Sequence, residues 1–159
     1  MNSNNRTILD FDAYFAYLNK VKHEMPKAVY EFATKVEHYN LTSHESLHDA
    51  WLEYLTICEP AEGERKQQRS IEIKTCYLGP FHDCLIYLSY KNVKSYSLQS
   101  PAEFENPPTY KTGHGDLLTH EISVLENNLF KHHIKFSRGS TLSIIFEDLE
   151  HWIEPHTHE

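Results

Sequence analysis

The feature that most constrains the fold is a succession of period-two apolar segments, punctuated by turn residues, from about residue 71 almost to the end of the chain. Ile71, Ile73, Thr75 and Tyr77 alternate with Glu72, Lys74 and Cys76, and Gly79-Pro80 then turns the chain. Leu85, Tyr87 and Ser89 alternate with Ile86, Leu88 and Tyr90, a run apolar on both faces that predicts a central, two-sided strand. Val93, Tyr96 and Leu98 follow a turn at Asn92. Leu118, His120, Ile122 and Val124 mark one face of the next strand. Asn127-Asn128 is a tight-turn pair, because Asn tolerates positive φ. Leu129, Lys131 and His133 alternate with Phe130, His132, Ile134 and Phe136, and Arg138-Gly139 makes another hairpin turn. Leu142, Ile144 and Phe146 continue the meander, and Leu149, Trp152 and Ile153 close it as an edge strand. Residues 99 to 113 carry Pro101, Pro107 and Pro108 and read as a surface loop, since proline removes ladder donors.

The first third has a different period. Ile8, Phe11, Phe15, Leu18 and Val21 recur at steps of three and four, which puts them on one helix face. Asp10 and Asp12 suit its N-terminal end, and Lys20 and Lys22 its C-terminal end. Pro26 stops this helix and starts a second, with Val29, Phe32, Ala33, Val36 and Tyr39 as its stripe. Residues 41 to 58 satisfy both periods. Leu47, Trp51, Leu55 and Cys58 fit a helix capped by Ser43, whereas Ala50 to Ile57 also alternate as a strand.

The chain has 159 residues, enough for one domain that needs neither disulfide nor metal to fold. Its net charge of -8 argues against a nucleic-acid partner, whose recognition rests on Lys and Arg. The one basic run, Arg65-Lys66-Gln67-Gln68-Arg69, lies beside Glu62 and Glu64 and reads as a solvated loop. Cys58, Cys76 and Cys84 are odd in number and not closely spaced, so they form no disulfide framework; buried structural cysteine is their default. The polar start has no apolar signal core and no segment has the apolar length of a membrane span, so a cytoplasmic location is expected. The closing Glu154-Pro155-His156-Thr157-His158-Glu159 reads as a frayed tail.

Twelve histidines are the chemical peculiarity of the sequence. The densest set is His114, Asp116 and His120. On a strand, positions 114, 116, 118 and 120 share a face, so His114 and Asp116 can reach one ion while His120 lies too far along. The competing reading, which we favour, is a glycine-framed turn capped by Asp116. His48-Asp49 and His82-Asp83 match the dipeptide for which a class of metal-dependent phosphohydrolases is named. Those enzymes carry it on helices with further ligands nearby. Here the helices are few, and neighbours on a strand face opposite ways. His132-His133 predicts one inward and one outward ring. Ser140 and Ser143 stand in no Gly-x-Ser-x-Gly elbow, and five glycines supply no phosphate loop.

Two stretches, Leu47-His48-Asp49-Ala50-Trp51-Leu52 and Leu85-Ile86-Tyr87-Leu88-Ser89-Tyr90-Lys91-Asn92-Val93-Lys94-Ser95-Tyr96, resemble small bacterial β-rich proteins. Those proteins open with a Leu/Phe-His-Asp strand and later carry L-x-L-x-F/Y-x-x-V. The segments from Gly115 to Leu118 and from Gly139 to Asp148 are similar to their closing hairpins. Several such families are uncharacterised, and some look like immunity proteins of toxin systems. The resemblance covers roughly residues 47 to 150. It implies a strand from about 48 to 58, structural roles for His48 and Asp49, and neither a cofactor nor a transferable catalytic residue.

The expected fold is therefore α+β. Two N-terminal helices (residues 8 to 40) lie beside a mainly antiparallel sheet of about six or seven strands (residues 47 to 154), forming a sandwich or partly open barrel. The helices are expected to bury Phe11, Phe15, Phe32 and Val36 against it. Three functions compete. The first is an immunity-like, non-enzymatic module that binds a basic protein such as a toxin domain, steered by Glu59, Glu62, Glu64, Glu103 and Glu105. The second is a metal-dependent hydrolase using His114 and Asp116 with a third ligand from His48, His82 or His120. The third is a structural or regulatory homodimer joined at an uncovered sheet edge.

Overall fold

A computed structural model describes residues 11–100 and 113–157. Among these, two α-helices precede ten strands: α1 (Phe11–Val21), α2 (Lys27–Thr34), β1 (Trp51–Cys58), β2 (Ala61–Glu62), β3 (Gln68–Arg69), β4 (Glu72–Leu78), β5 (Cys84–Lys91), β6 (Ser95–Gln99), β7 (Leu117–Val124), β8 (Phe130–Phe136), β9 (Thr141–Phe146) and β10 (Asp148–Pro155). The fold is α+β and its sheets are antiparallel. There are more strands than the six or seven expected. Eight of them form two four-stranded sheets, ordered β1-β4-β5-β10 and β6-β9-β8-β7. The other two, β2 and β3, form a two-residue pair inside the segment expected to be a charged loop. Neither four-stranded sheet closes on itself.

The alternation of the sequence decides which residues face inward. Ile73, Thr75 and Tyr77 of β4 and Ile86, Leu88 and Tyr90 of β5 are buried. So are Ile122 of β7, Phe130, His132 and Ile134 of β8, and Leu142, Ile144 and Phe146 of β9. The two inner faces meet where Tyr90 packs edge-on against Phe146, ring centroids 5.1 Å apart. A fully buried aromatic or aliphatic side chain contributes about 1.5–3 kcal/mol, so this shared cluster is the main source of cohesion. The chain passes between the sheets twice at one corner, at β5 to β6 and at β9 to β10. The Glu147 amide donates to the Lys91 carbonyl at 3.1 Å, which ties the two crossings together.

The helices fill the space beside this corner. Helix α2 follows Pro26 and packs on edge strand β10. It ends at Thr34, earlier than its apolar stripe suggests, because Lys35 is extended and Val36–His38 form a separate 3-10 turn. That break turns Val36 outward, 58% exposed, contrary to the expected burial. Phe32 is buried and Phe15 partly so, whereas Phe11 is exposed. Helix α1 covers edge strand β7 by an unusual route. The Tyr14 hydroxyl donates to the Ile122 carbonyl at 2.9 Å and accepts from the Ile122 amide at 2.7 Å. The Tyr17 hydroxyl accepts from the Val124 amide at 2.9 Å. An edge that would otherwise offer free backbone groups is thus satisfied by side chains.

Local backbone chemistry accounts for most turns. Asn127 and Asn128 both have positive φ, 60° and 58°, as the β7–β8 turn requires. Strand β1 begins at Trp51 rather than near residue 48. Asp49 sits in the left-handed region at φ 67°, and its amide donates to the Leu117 carbonyl at 2.9 Å. The contact with the neighbouring strand is therefore made by the Asp49 backbone. Ile8 and the proline-rich stretch with Glu103 and Glu105 lie outside the described residues, as do the chain's last two residues, 158 and 159. No helix among the described residues is long and apolar enough to cross a membrane.

Candidate functional site

The histidines that look related in sequence are separated by the fold. His114 places Nδ1 2.6 Å from the Ser140 hydroxyl, and its ring packs on Phe136. Asp116 points elsewhere: its Oδ1 accepts the Trp51 indole N–H at 2.6 Å, while its amide donates to Ser137 Oγ at 2.8 Å. His82, at φ 60°, sets its ring 4.5 Å from Trp51. His48 Nδ1 lies 3.1 Å from its neighbour Asp49 Oδ1. His48 also borders an apolar hollow of about 260 Å³ with Phe11, Tyr39, Leu41, Leu118 and His120. Among the described residues no three His, Cys, Asp or Glu side chains are placed to hold a metal ion. Glu59, Glu62 and Glu64 are exposed around the β2–β3 pair.

Two arrangements that periodicity did not reveal carry most of the chemistry. The first is a chain of buried rings between the sheets. The Tyr90 hydroxyl lies 2.7 Å from His132 Nδ1, and His132 Nε2 lies 3.1 Å from His120 Nδ1. His120 Nε2 approaches the His38 carbonyl at 3.4 Å. A carbonyl can only accept, so His120 Nε2 carries the proton and Nδ1 accepts. His132 Nε2–H then donates to His120, and Tyr90 O–H donates to His132. Every ring is neutral in this assignment. Burial in turn holds the imidazoles uncharged: His38 is lowered to about 4, His120 to about 3, and His132 well below the ordinary value.

Phe32 of α2 is the centre of that layer. Its ring centroid lies 4.5 Å from His38, 5.2 Å from His151, 5.6 Å from His132 and 6.0 Å from His120. His38 Nδ1–H donates to the Phe32 carbonyl at 2.9 Å, which leaves a buried Nε2 lone pair with no partner. Tyr39 stacks on His120 at 4.6 Å with rings only 8° from parallel. The layer joins helix to sheets.

The second arrangement lies on the outer face of the β1-β4-β5-β10 sheet. Register pairs Tyr54 with Cys76, Cys76 with Tyr87, and Tyr87 with Trp152. Paired residues share a face, so these four form one row across all four strands. Tyr87 and Trp152 stack with centroids 5.1 Å apart and planes 6° from parallel. The Cys76 thiol, flanked by the Tyr54 and Tyr87 side chains, is only 1% exposed, and burial pushes its pKa up. The adjacent row runs Trp51, Leu78, Leu85 and Glu154. Tyr54, Trp51 and Trp152 remain open to solvent at 48%, 44% and 38%.

The outer face of the other sheet is different in kind. Lys131, His133 and Lys135 alternate outward along β8, opposite Ser123, Glu121 and Thr119 of β7, and His133 Nδ1 meets Ser143 Oγ at 2.7 Å. One outer face is thus polar in the manner of ordinary surface, whereas the other carries contiguous aromatic side chains. The signal for this was present in β5, whose second apolar face reads as the mark of a strand covered on both sides. In the fold that face is the outward one. No protein-family model matches the sequence, and no curated protein is significantly similar to it.

Proposed function

We propose that the protein is a non-enzymatic protein-binding module whose partner docks over the outer face of the β1-β4-β5-β10 sheet. The observation that carries this reading is the row Tyr54–Cys76–Tyr87–Trp152, with Trp51, Leu78 and Leu85 beside it. Tyr54, Trp51 and Trp152 keep 48%, 44% and 38% exposure over the buried Cys76 and Leu78, and exposed apolar surface marks interaction sites. Aromatic residues supply most of the energy in such sites, because they desolvate large areas while losing little rotamer freedom. The sheet holds these rings in place before any partner arrives, so little ordering cost remains to be met on binding. An immunity-like role, in which a small acidic module covers a toxin domain, agrees with such a surface. The metal-dependent hydrolase finds no support in a set from which no three ligating side chains come together among the described residues.

Selection of random displayed peptides against the wild-type protein, with counter-selection on a Tyr54→Ser/Trp152→Ser variant, tests the reading. Peptides that bind the wild type and lose at least about tenfold in affinity on the variant are expected. Recovery only of peptides that bind both proteins equally overturns it. Sedimentation of the protein alone separates the homodimer: a dimer that dissociates on Trp152→Ser would make a second copy the occupant of this face.

A further inference from the structure

The chemistry around the aromatic row specifies more than an apolar partner. We infer that it takes an arginine-bearing segment of a basic protein, with a guanidinium stacked on the Tyr87–Trp152 pair and held by Glu150 or Glu154; this rests on the docking reading above. Three observations converge. Tyr87 and Trp152 stack on each other from neighbouring strands, and Trp152, 38% exposed on edge strand β10, keeps the ring face turned away from Tyr87. Planar cations stack on such faces, and Trp is the strongest aromatic for this.

Carboxylates bracket Trp152 along its strand. Glu150 and Glu154 lie two residues to either side of Trp152 on β10, and so on its face of the sheet. Both are exposed. Neither is paired with a lysine or arginine among the described residues. Glu53 stands near the row at its β1 end, close enough to act on the Cys76 thiol together with Glu154.

The basic groups on this face are already engaged. Lys91, two rows from the Tyr87–Trp152 pair, meets Glu72 Oε1 at 2.7 Å, and Lys74, in the row next to that pair, lies 3.7 Å from the same oxygen. The surface beside Trp152 is therefore net acidic and complementary to a cation. Arginine fits this better than lysine does. Its planar, weakly hydrated guanidinium can stack and pair with a carboxylate at once, whereas an ammonium is a compact, strongly hydrated point charge.

The test uses short Gly/Ser peptides carrying alternate arginines, with lysine and citrulline counterparts of the same length, titrated into the full chain. Citrulline keeps the shape of arginine but carries no charge. The readout is the chemical shift of the Trp152 indole N–H. The expected result is saturable binding of the arginine peptide, weaker by about fivefold or more for lysine and lost for citrulline. Glu150→Gln/Glu154→Gln should weaken the arginine peptide about fivefold or more, while Glu121→Gln/Glu126→Gln, on and after β7, should leave it unchanged. Equal binding of the citrulline peptide, or no effect of the Glu150/Glu154 pair, overturns the inference. If the displayed peptides still require Trp152 in that case, docking on this face stands and only its cation preference falls. If neither peptide set senses Tyr54 or Trp152, both proposals fall.

Discussion

The Tyr90 hydroxyl donates to His132 Nδ1 at 2.7 Å, and this bond joins the inner faces of the two sheets. It is the first link of a directional chain that ends on the His38 carbonyl. Both residues are fully buried. Tyr90→Phe keeps the ring but leaves His132 Nδ1 as a buried acceptor without a donor. The expected loss is about 1–3 kcal/mol, read as a lower urea midpoint at neutral pH with an unchanged slope. His132→Phe removes the acceptor but orphans the Tyr90 hydroxyl and His120 Nδ1 together, so it should cost more than Tyr90→Phe.

Helix α1 is held to β7 by tyrosine hydroxyls. In Tyr14→Phe the Ile122 amide and carbonyl lose the single oxygen that serves both. The variant should lose about 1–2 kcal/mol. Amide hydrogen exchange at Ile122 should accelerate, while that of inner strand β5 follows global unfolding alone. Unchanged exchange at Ile122 would mean that the helix is not what protects this edge.

The three thiols should separate by reactivity. Cys58 is exposed, whereas Cys76 and Cys84 are buried with pKa values raised by desolvation. Reaction with an aromatic disulfide reagent in native buffer should modify one thiol quickly and the others only on unfolding. Tyr87→Ala should release Cys76, because that ring flanks the sulfur.

The fold was more legible than the site. Alternation and turn pairs located the strands from β4 onward, and Asn127-Asn128 announced the β7–β8 turn through its tolerance of positive φ. Alternation also divided His132 from His133. It says which face a residue takes, not which element it meets there. His120 and His132 converge with Tyr90 and Phe32 only because β7 pairs β8 at Ile122↔His132 and the second sheet packs over β5. The row from Tyr54 to Trp152 likewise depends on three registers that no single strand encodes. His114, Asp116 and His120 lay close in sequence, yet Gly115, at φ 77°, turns the chain between the first two. A Cβ on Gly115 would fall 2.1 Å from Ser137 Oγ, so Gly115→Ala should destabilise this turn by about 1–3 kcal/mol.

The histidine layer should make stability strongly dependent on pH, and the sign follows from burial. His38 and His120 are lowered to about 4 and about 3 in the folded state, and His132 is also lowered. Unfolded histidine titrates near 6.5, so between that value and the folded ones the unfolded chain binds more protons. The contribution of the layer is complete well above pH 6.5 and is lost progressively as pH falls through that value, down to about 4 for His38 and about 3 for His120. At pH 5 His38 and His120 should each cost about 2 kcal/mol relative to pH 7.5, and His132 acts in the same direction. Such losses are a large share of the total stability of a domain, about 5–15 kcal/mol. Urea unfolding at pH 7.5, 6 and 5 should therefore show a steep fall in midpoint across that window. His120→Leu tests the assignment. It should lower stability at pH 7.5, because it leaves the His132 donor unpaired, but flatten the dependence by about one proton between pH 6 and 5. A parent profile that is flat from pH 7.5 to 5, or a variant as steep as its parent, would show that these rings are protonated in the folded protein and that the chain from Tyr90 to His38 does not exist as a neutral network.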